Sequence, residues 1–496
     1  MTNPHEGSVS VDAQASLSFG GDVRTVLETA RPQPLPATLE EARKAPGRRE
    51  QIEAITRRIE AEGIKYVFFQ QVSITGRVMG KGVVADFFGQ VAEKGYQLVY
   101  GATANLFTDR AGNYIGFGPE ESELAAMADL STFAVLPWDP RVARVYCDCY
   151  DTETGDLLDA DPRQNLKRVV AEFEEELGYS FLIGIEPEMM WLKRGEDGAE
   201  PTGATEPYCY HIHQFEELRP VLLDVIEYGQ ALGLDMSYGD HEDAPGQLEL
   251  NFRFDRPVKT ADNITTYRQI CAAVGRKHGL LPTFMPKPFT GVSANGHHHH
   301  FTLMDEDGNN VFHDPSGPAE LSETARHFLG GMLDHFGALM CVGNPTVNSY
   351  CRMWDFGFWA PVYKNWGWQN RTCTVRVASG GRFEYRGVDS SCNPYLSVAA
   401  LLVAGLDGIR KKSDPGPPQS ANTYDLLQTN GSASLERVPD SLGDALIELD
   451  KDELLRDGAM PGRLWKVFHH YKRDEWESYL AAVTDWEREQ YLEVLP

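Results

Sequence analysis

The sequence of 496 residues contains no apolar run near the roughly 20 residues that a membrane-spanning helix needs. Its first residues, MTNPHEGSVSVDAQ, lack the basic segment and apolar core of a secretory signal. Positive charge is also in short supply, because 46 Lys and Arg stand against 73 Asp and Glu, a formal net charge of −27. Such a chain repels nucleic-acid phosphates and anionic lipid headgroups. These absences predict a cytoplasmic protein without membrane or nucleic-acid partners.

Cysteine is scarce as well, since the 8 residues include no Cys-x-x-Cys pair. This excludes a zinc knuckle and gives no sign of a disulfide framework. Cys147 and Cys149 form the one close pair, and alternate residues of a strand point to the same side. We expect them to be buried, reduced thiols.

The chain is large and 42% hydrophobic, enough for more than one structural unit. Residues 1–48 are rich in Pro, Ala, Ser and Glu and predict an N-terminal tail. Residues 49–158 open with a helical pattern that leads into strand-like runs, which predicts a small mixed domain. Residues 159–496 follow a polar, turn-rich stretch and alternate strand-like runs with long helices, which predicts a second, larger domain.

Acidic residues occur inside strand-like runs, where charge is costly to bury without a partner. Glu186 and Glu188 lie in FLIGIEPEMMWL, and the two-residue period of a strand sends both carboxylates to one face. In HEDAPGQLEL, a Pro-Gly turn predicts a hairpin that brings Glu242 and Glu249 together. Each pattern alone is also compatible with a solvated polar surface. Like charges this close favour a cation between them.

Four consecutive histidines, His297–His300, lie in mid-chain between apolar residues, whereas a purification tag lies at a terminus. Strand alternation places His298 and His300 on one face and the other two histidines on the opposite face. A carboxylate cluster with one imidazole fits Mg²⁺ or Mn²⁺ better than structural zinc, which prefers thiolates in a closed tetrahedral shell.

Arginines accumulate further along the chain, at Arg352, Arg371 and Arg376. Their guanidinium groups suit carboxylates and phosphoryl oxygens. In RFEYR, Glu384 and Arg386 share one face of a predicted strand, a pattern that an ordinary salt-bridged strand also explains. Acids for two metal ions, a histidine and several arginines together indicate a metal-dependent ATP enzyme that acts on a carboxylate substrate.

The order of these segments resembles the glutamine synthetase family. The similarity runs from about Tyr66 to the C-terminus and is carried by NPTVNSY, APVY, NR followed by VRV, NPYLSVAALLVAGLDGI, HEDAPGQLEL and FMPKPF. It implies an α+β fold with an N-terminal β-grasp domain and a catalytic domain built on a curved antiparallel sheet surrounded by helices. It also implies a homo-oligomer, usually a dodecamer of two hexameric rings, with active sites between neighbouring subunits.

The resemblance implies roles for individual residues. Two sets of three are implied to bind divalent ions, Mg²⁺ or Mn²⁺: Glu188, Glu242 and Glu249 in one set, and Glu186, His298 and Glu384 in the other. The implied ATP contacts are His300, Thr302, Arg371 and Arg376, and the implied L-glutamate contacts are Arg352, Arg386, Ser293 and Ala294. The implied catalytic residues are Arg371, Arg376 and Glu384.

The reaction that the resemblance implies has two steps. The side-chain carboxylate of glutamate takes the γ-phosphoryl group of ATP, and an amine then displaces phosphate from the acyl phosphate to give an amide. The protein contributes positioning and charge neutralisation.

Two positions depart from the family members that use ammonia. Trp359, in the loop before APVY, stands where those members have a glutamate that binds ammonium. Tyr100 aligns with a second ammonium-handling acid, contributed by the neighbouring subunit. Two aromatic residues in place of two carboxylates favour a nucleophile larger and less polar than ammonia. We therefore predict an amine pocket formed by Trp359 and Tyr100.

The resemblance thus narrows to the γ-glutamyl-amine ligases, which start amine breakdown or detoxification, and among them to the type that acts on aniline-like amines. The alternatives are a ligase for alkylamines or polyamines, a glutamine synthetase that uses ammonia, and a family member without activity. Tyr424 lies near the position where some bacterial members are adenylylated, although an ordinary packed tyrosine also explains it.

Overall fold

The structure, a computed structural model, describes residues 23–28, 35–195, 198–203, 209–355, 360–428 and 435–494. It contains two β-sheets with helices packed around them, the α+β architecture that the sequence predicts. The eight cysteines are free, and Cys147 and Cys149 are buried as expected. Within the described ranges, no helix combines the length and the apolar composition needed to cross a membrane.

The smaller sheet lies in the N-terminal part of the chain. Its strands are β1 (Tyr66–Val72), β2 (Val78–Val84), β3 (Tyr96–Val99), β4 (Glu123–Ala128), β5 (Ala134–Val135) and β6 (Val142–Asp151). Their order is β2-β1-β6-β4-β3, with β5 paired to β6. β1 runs parallel to β6, and the other pairs are antiparallel. The helices Arg48–Glu62 and Phe88–Lys94 bury Ile59 and Phe88 against Phe69 of β1.

Part of the predicted tail packs on the domains that follow it. The helix Leu39–Arg43 buries Leu39 and Ala42 against the smaller sheet. The helix Val23–Glu28 contacts an apolar cluster of the larger domain. The sequence predicts a tail over the whole of residues 1–48, but these two short helices contribute apolar side chains to the folded body.

The larger sheet carries the segments with candidate catalytic residues. Its strands are β7 (Ser180–Gly195), β8 (Gly198–Pro201), β9 (Met236–His241), β10 (Gln247–Phe252), β11 (Leu280–Thr283), β12 (His297–Met304), β13 (Trp366–Trp368), β14 (Val375–Ala378) and β15 (Arg382–Tyr385). The order is β13-β14-β15-β12-β7-β10-β9, with β8 and β11 also paired to β7. Except for the parallel pair β13 and β14, the pairs are antiparallel.

Strand β7 separates the apolar core from a polar face. Phe181, Ile183 and Ile185 point into the core, where the ring of Phe181 stacks on Phe301 of β12 with 5.3 Å between centroids. The alternate residues of β7, which include Glu186, lie on the opposite face. Burial of the apolar set therefore fixes which face receives the carboxylates.

The larger domain also contains most of the helices. They are Pro162–Leu177, Ile212–Glu217, Arg219–Ala231, Pro257–His278, Glu323–Asp334, Phe336–Gly343, Val347–Trp354, Pro394–Lys411, Thr423–Gln428, Leu442–Lys451, Arg463–Ala481 and Asp485–Tyr491. Pro162 and Pro394 occupy the first turn of their helices, where the missing N–H costs no helical hydrogen bond. These two helices pack on each other and cover the core side of the larger sheet.

A buried ionic cluster joins the smaller sheet to two helices that follow it in the chain. Arg163, near the start of the helix Pro162–Leu177, donates to Asp129, Asp148 and Asp262 at 2.8–3.0 Å. Asp148 lies on β6 and Asp129 follows β4, whereas Asp262 belongs to the larger domain. The charge of Arg163 thus ties the N-terminal sheet to the helices behind the larger sheet.

Candidate active site

The register of six neighbouring strands places the predicted acidic and basic residues on one face of the larger sheet. The directly opposed pairs are Asp240 and Glu249, Glu249 and Glu188, Glu186 and His298, His300 and Glu384, and Glu384 and Arg376. Since residues two apart on a strand share a face, these pairs form adjacent rows. The structure thereby gathers residues that are up to 198 positions apart, Glu186 and Glu384, into one cluster.

His298 lies at the centre of this cluster. Its Nδ1 is 3.5 Å from Oε2 of Glu186 and 3.7 Å from both Oε1 of Glu188 and Oε1 of Glu384. Nε2 of His300 lies 3.0 Å from Oε1 of Glu186. Burial opposes ionisation of Glu186, but the charges of His300 and His298 hold its pKa well below the usual range. The carboxylate is therefore available as an anionic ligand at neutral pH.

The alternation predicted for the four histidines is confirmed. His299 faces away from the carboxylates, and its Nε2 lies 3.0 Å from Oγ of Ser397 on the packed helix. Gly296, just before the run, donates its N–H to Oε2 of Glu188 at 2.7 Å. A Cβ at Gly296 would lie 2.9 Å from Oε1 of Glu188 and 2.7 Å from Nε2 of His298. Only glycine leaves room for both side chains at this point.

Glu384 is completely buried between two arginines. Arg376 donates from Nη1 to Oε2 of Glu384 at 2.6 Å, and Arg386 donates from Nη1 to Oε1. Burial would raise the pKa of Glu384, but Arg386 and His300 hold it well below its ordinary value. Glu384 and Arg386 share one face of their strand as predicted, and they form the ion pair of an ordinary salt-bridged strand, so the protein itself compensates this side of the cluster.

The β9–β10 hairpin supplies the opposite side, as its Pro-Gly turn predicts. Ligand atoms of Asp240, Glu242 and Glu249 lie within 4.8 Å of one another. Burial first, and the nearby carboxylates second, raise the pKa of Glu242 to about 8 and that of Glu249 well above its usual value. Within the described ranges, none of the ion pairs involves these three acids. Among the described residues, this side of the cluster is therefore rich in carboxyl groups that no ion pair compensates.

The residues present fit divalent cations. A second group, Glu186, His300 and Glu384, also has its ligand atoms within 4.8 Å of one another. Carboxylate oxygens with an imidazole nitrogen suit Mg²⁺ or Mn²⁺, and like charges held this closely are stabilised by a cation. The sets implied by the family motif contain His298 and Glu188 where these groups contain His300 and Asp240.

The remaining arginines lie around the cluster. Arg352 is buried, and it donates to the carbonyls of Val388 and Arg386 at 3.3 and 3.2 Å. Arg371 is exposed, in the turn before β14. Burial and the charges of Glu242 and Asp240 raise the pKa of the Tyr210 hydroxyl to about 12, whereas the charge of Arg371 lowers it. Arg371 therefore lies within electrostatic range of the open side of the site.

The predicted substrate contacts in loops and strands are buried. Oγ of Ser293 donates to Oδ2 of Asp243 at 2.5 Å, which ties the loop before β12 to the acidic hairpin. The carbonyl of Ala294 accepts from Nε2 of Gln247 at 3.0 Å. Thr302 donates from Oγ1 to Oδ1 of Asn310 at 2.5 Å. Hydrogen bonds within the chain thus hold the side chains of Ser293 and Thr302 and the main chain of Ala294.

Of the two residues of the predicted amine pocket, the structure describes only Tyr100. Trp359 lies outside the described residues. Tyr100 is buried in the N-terminal domain, where its hydroxyl donates to Oδ2 of Asp151 at 2.9 Å and Arg463 lies 4.9 Å above its ring. Within this chain Tyr100 therefore contributes to packing between the N-terminal domain and the helix Arg463–Ala481, and its ring is not exposed to a ligand.

Three residues of the site were not predicted from the sequence. Asp240 lies with the two acids of the hairpin. It precedes Glu242 by two residues, so the two-residue period of a strand could have predicted that both lie on one face. Gln247 donates from Nε2 to Oε2 of Glu188 at 3.3 Å. Arg382 interacts electrostatically with Glu186 and Glu384, although burial lowers its pKa. Tyr424, for comparison, is a packed tyrosine whose hydroxyl donates to the carbonyl of Ala360 at 2.5 Å.

Comparisons with known proteins agree with this geometry. The family model "Glutamine synthetase, catalytic domain" matches residues 159–491. The chain is 41% identical over 384 residues to the glutamine synthetase of Halobacterium salinarum, covering 75% of this chain and 84% of that protein. It is also 41% identical over 391 residues to the glutamine synthetase of Pyrococcus abyssi, covering 75% of this chain and 86% of that protein.

Two solved structures are similar over nearly their full length. "GmaS/ADP complex-Conformation 1" superposes with a TM-score of 0.81 and 31% identity, covering 88% of this chain and 99% of the other. "Apo GmaS without ligand" has a TM-score of 0.79 and 31% identity, covering 88% and 98%. GmaS is a γ-glutamylmethylamide synthetase.

Proposed function

This chain belongs to the glutamine synthetase family, and on that premise we propose that it joins the γ-carboxylate of L-glutamate to an amine larger than ammonia, with hydrolysis of ATP. The observation that carries the proposal is the row of acids, histidines and arginines that the strand register sets on one face. It combines oxygen ligands for cations with guanidinium groups for phosphoryl oxygens, which a phosphoryl transfer between two anions requires.

We propose the following ligand sets for two or more Mg²⁺ or Mn²⁺ ions: Glu188, Glu242 and Glu249, with Glu186, His298 and Glu384. Ions bound there would neutralise the phosphate oxygens of ATP and draw the glutamate carboxylate towards them. Glu384 keeps its charge because Arg376 and Arg386 flank it, and the same arginines have further N–H donors for anionic oxygens.

The proposed substrate contacts surround these ligands. His300, Thr302, Arg371 and Arg376 would contact ATP, and Arg352, Arg386, Ser293 and Ala294 would contact glutamate. Arg352 and Arg386 are suited to this because their guanidinium groups are already fixed by backbone and carboxylate partners. A preorganised donor loses little entropy when the substrate binds.

Two features support an amine other than ammonia. Trp359 replaces the glutamate that handles ammonium, and the likeness to GmaS extends over almost the whole of that protein. An aryl amine is neutral at pH 7 and needs no carboxylate to remove a first proton, so an aniline-like substrate is the amine we propose. Asp355, beside this loop, already pairs with Lys287 at 2.7 Å, so its charge is not left for a polyamine.

Two other amines have specific support. The relatives that are 41% identical are named glutamine synthetase, which favours ammonia. GmaS acts in γ-glutamylmethylamide synthesis, which favours a small alkylamine. We further propose a dodecamer of two hexameric rings, which size-exclusion chromatography with light scattering would test.

The experiment that tests the proposal is ATP-dependent phosphate release with L-glutamate and Mg²⁺, repeated with ammonia, methylamine, isopropylamine, putrescine and aniline. Mass spectrometry of the product shows whether the released phosphate corresponds to an amide. We expect aniline or isopropylamine to give the highest kcat/KM. Highest activity with ammonia would make the protein a glutamine synthetase, and no amide with any amine would indicate a member without this activity.

A further inference from the structure

The hairpin side of the site contains an acid outside the ligand set that the motif implies. Asp240 on β9 lies directly opposite Glu249 on β10, and Glu188 on β7 lies opposite Glu249 from the other side. Glu242 follows Asp240 by two residues, and its ligand atom comes within 4.8 Å of those of Asp240 and Glu249. Glu249 is thus flanked by carboxylates across both strand pairings.

The charge of this group distinguishes it from the rest of the cluster. Glu384 is neutralised by Arg376 and Arg386, whereas Asp240 forms no ion pair within the described residues. Three carboxylates that share a half-buried space without a basic partner repel one another unless a cation lies between them.

An unsatisfied amide beside the acids points independently to a ligand. Asn251 is 4% exposed, and its Nδ2 donates to Oε1 of Glu249 at 2.5 Å, so the amide lies beside the carboxylate of Glu249. Its Oδ1 is buried and has no hydrogen-bond partner. A buried acceptor left without a partner destabilises the folded state. Amide carbonyl oxygens are ordinary ligands of hard cations, directly or through a bound water.

We propose that Asp240 is an additional ligand of the divalent cation held on the hairpin side, completing an oxygen-only set with Glu242, Glu249 and the amide oxygen of Asn251. Oxygen ligands alone favour Mg²⁺ or Mn²⁺ over zinc. The inference deepens the proposed function, because it concerns the same site. It does not depend on which amine is the substrate.

The test is direct binding of Mn²⁺ to the full chain without nucleotide or glutamate. Free Mn²⁺ is measured by electron paramagnetic resonance during titration of the protein and of Asp240→Asn. We expect the variant to bind Mn²⁺ at least five-fold more weakly at the tightest site, and to lose most of the rise in Tm that Mn²⁺ causes. The matched control is Asp235→Asn, since Asp235 is exposed just before β9 and pairs with Arg253.

Two outcomes decide the inference. An affinity within two-fold of the unmodified protein for Asp240→Asn would overturn it, as would an equal loss in Asp235→Asn. Asp240→Ser serves as the second variant if Asp240→Asn does not fold, which circular dichroism without metal establishes. Because no nucleotide or amine is present, a failure here is separate from a failure of the amide-forming assay.

Discussion

Glu188 and Glu249 lie directly opposite each other where β7 pairs with β10, and both residues are buried. Facing like charges destabilise a sheet by themselves. The pair persists because the surrounding fold holds it, with the Gly296 N–H and the Gln247 amide both donating to Glu188. The proposed divalent cation would stabilise the ionised form of both acids.

Replacement of Glu384 by glutamine tests the compensated side of the cluster. Glu384→Gln removes the anion that both Arg376 and Arg386 contact, so the two guanidinium groups lose their shared partner. We expect kcat for phosphate release to fall by about 100-fold or more. Glu200→Gln, at an exposed position on β8, is the control and should keep full activity. If Glu384→Gln keeps activity within three-fold of the unmodified protein, Glu384 is not required for catalysis.

A carboxylate at position 359 tests the amine preference. If Trp359 lines the proposed amine pocket, Trp359→Glu should lower kcat/KM for aniline or isopropylamine and raise that for ammonia, each by roughly ten-fold. The ratio of the two specificity constants is the measurement. Trp486→Glu introduces the same change at a position on the helix Asp485–Tyr491 and should leave the ratio unaltered. If both variants keep the original ratio, Trp359 does not select the amine.

Replacement of Tyr100 by phenylalanine tests whether this residue stabilises the fold or contributes to the proposed amine pocket. Tyr100→Phe removes the buried hydrogen bond to Asp151 and should lower the free energy of unfolding by about 1.5–3 kcal/mol, as expected for a bond to a charged group. The order of preference among amines should not change. Urea titration and the amine panel measure the two effects, and Tyr66→Phe is the partly exposed control. A changed order of preference among the amines would indicate that the Tyr100 hydroxyl contributes to the amine pocket.

The cluster around Arg163 should contribute strongly to the stability of the contact between the smaller sheet and the helices packed on it. Arg163→Met leaves Asp129, Asp148 and Asp262 buried without that guanidinium, which typically costs about 3–5 kcal/mol. Arg141→Met breaks the exposed pair with Asp139 and should destabilise the protein far less, because solvent screens that pair. Urea midpoints at matched protein concentration compare the two. Equal midpoints would show that Lys167 and solvent replace Arg163.

His335 makes part of the stability depend on pH. Its ring lies between Asp452 at 2.6 Å and Asp407 at 2.9 Å, and these hydrogen bonds and charges raise its pKa despite partial burial. Because the folded pKa is above the unfolded value of about 6.5, the stabilisation is complete below that value. It is lost as pH rises through the folded pKa.

His335→Gln should accordingly be less stable than the unmodified protein by about 1.5–3 kcal/mol at pH 6, the range for hydrogen bonds to charged groups, with a smaller gap at pH 9. Urea unfolding at both values measures the gap. His213→Gln, at an exposed helical position, should show no such difference. A gap that grows with pH would contradict the assignment.

Much of the site follows from periodicity along single strands. Alternation places Glu186 with Glu188, and His298 with His300, on shared faces, and the structure has these arrangements. The Pro-Gly turn correctly predicts that Glu242 and Glu249 meet. Local geometry suffices for these cases, because a strand has a fixed two-residue period and a tight turn has a fixed reach.

The sequence by itself thus determined which residues share a face and, through its motifs, the family of the chain. Tertiary structure alone decided the register between strands distant in sequence, which set Asp240 opposite Glu249 and surrounded Glu384 with two arginines. Tertiary structure also buries the Tyr100 ring in packing within the chain. Such contacts depend on how apolar faces of different elements fit together, and no pattern within one segment records that fit.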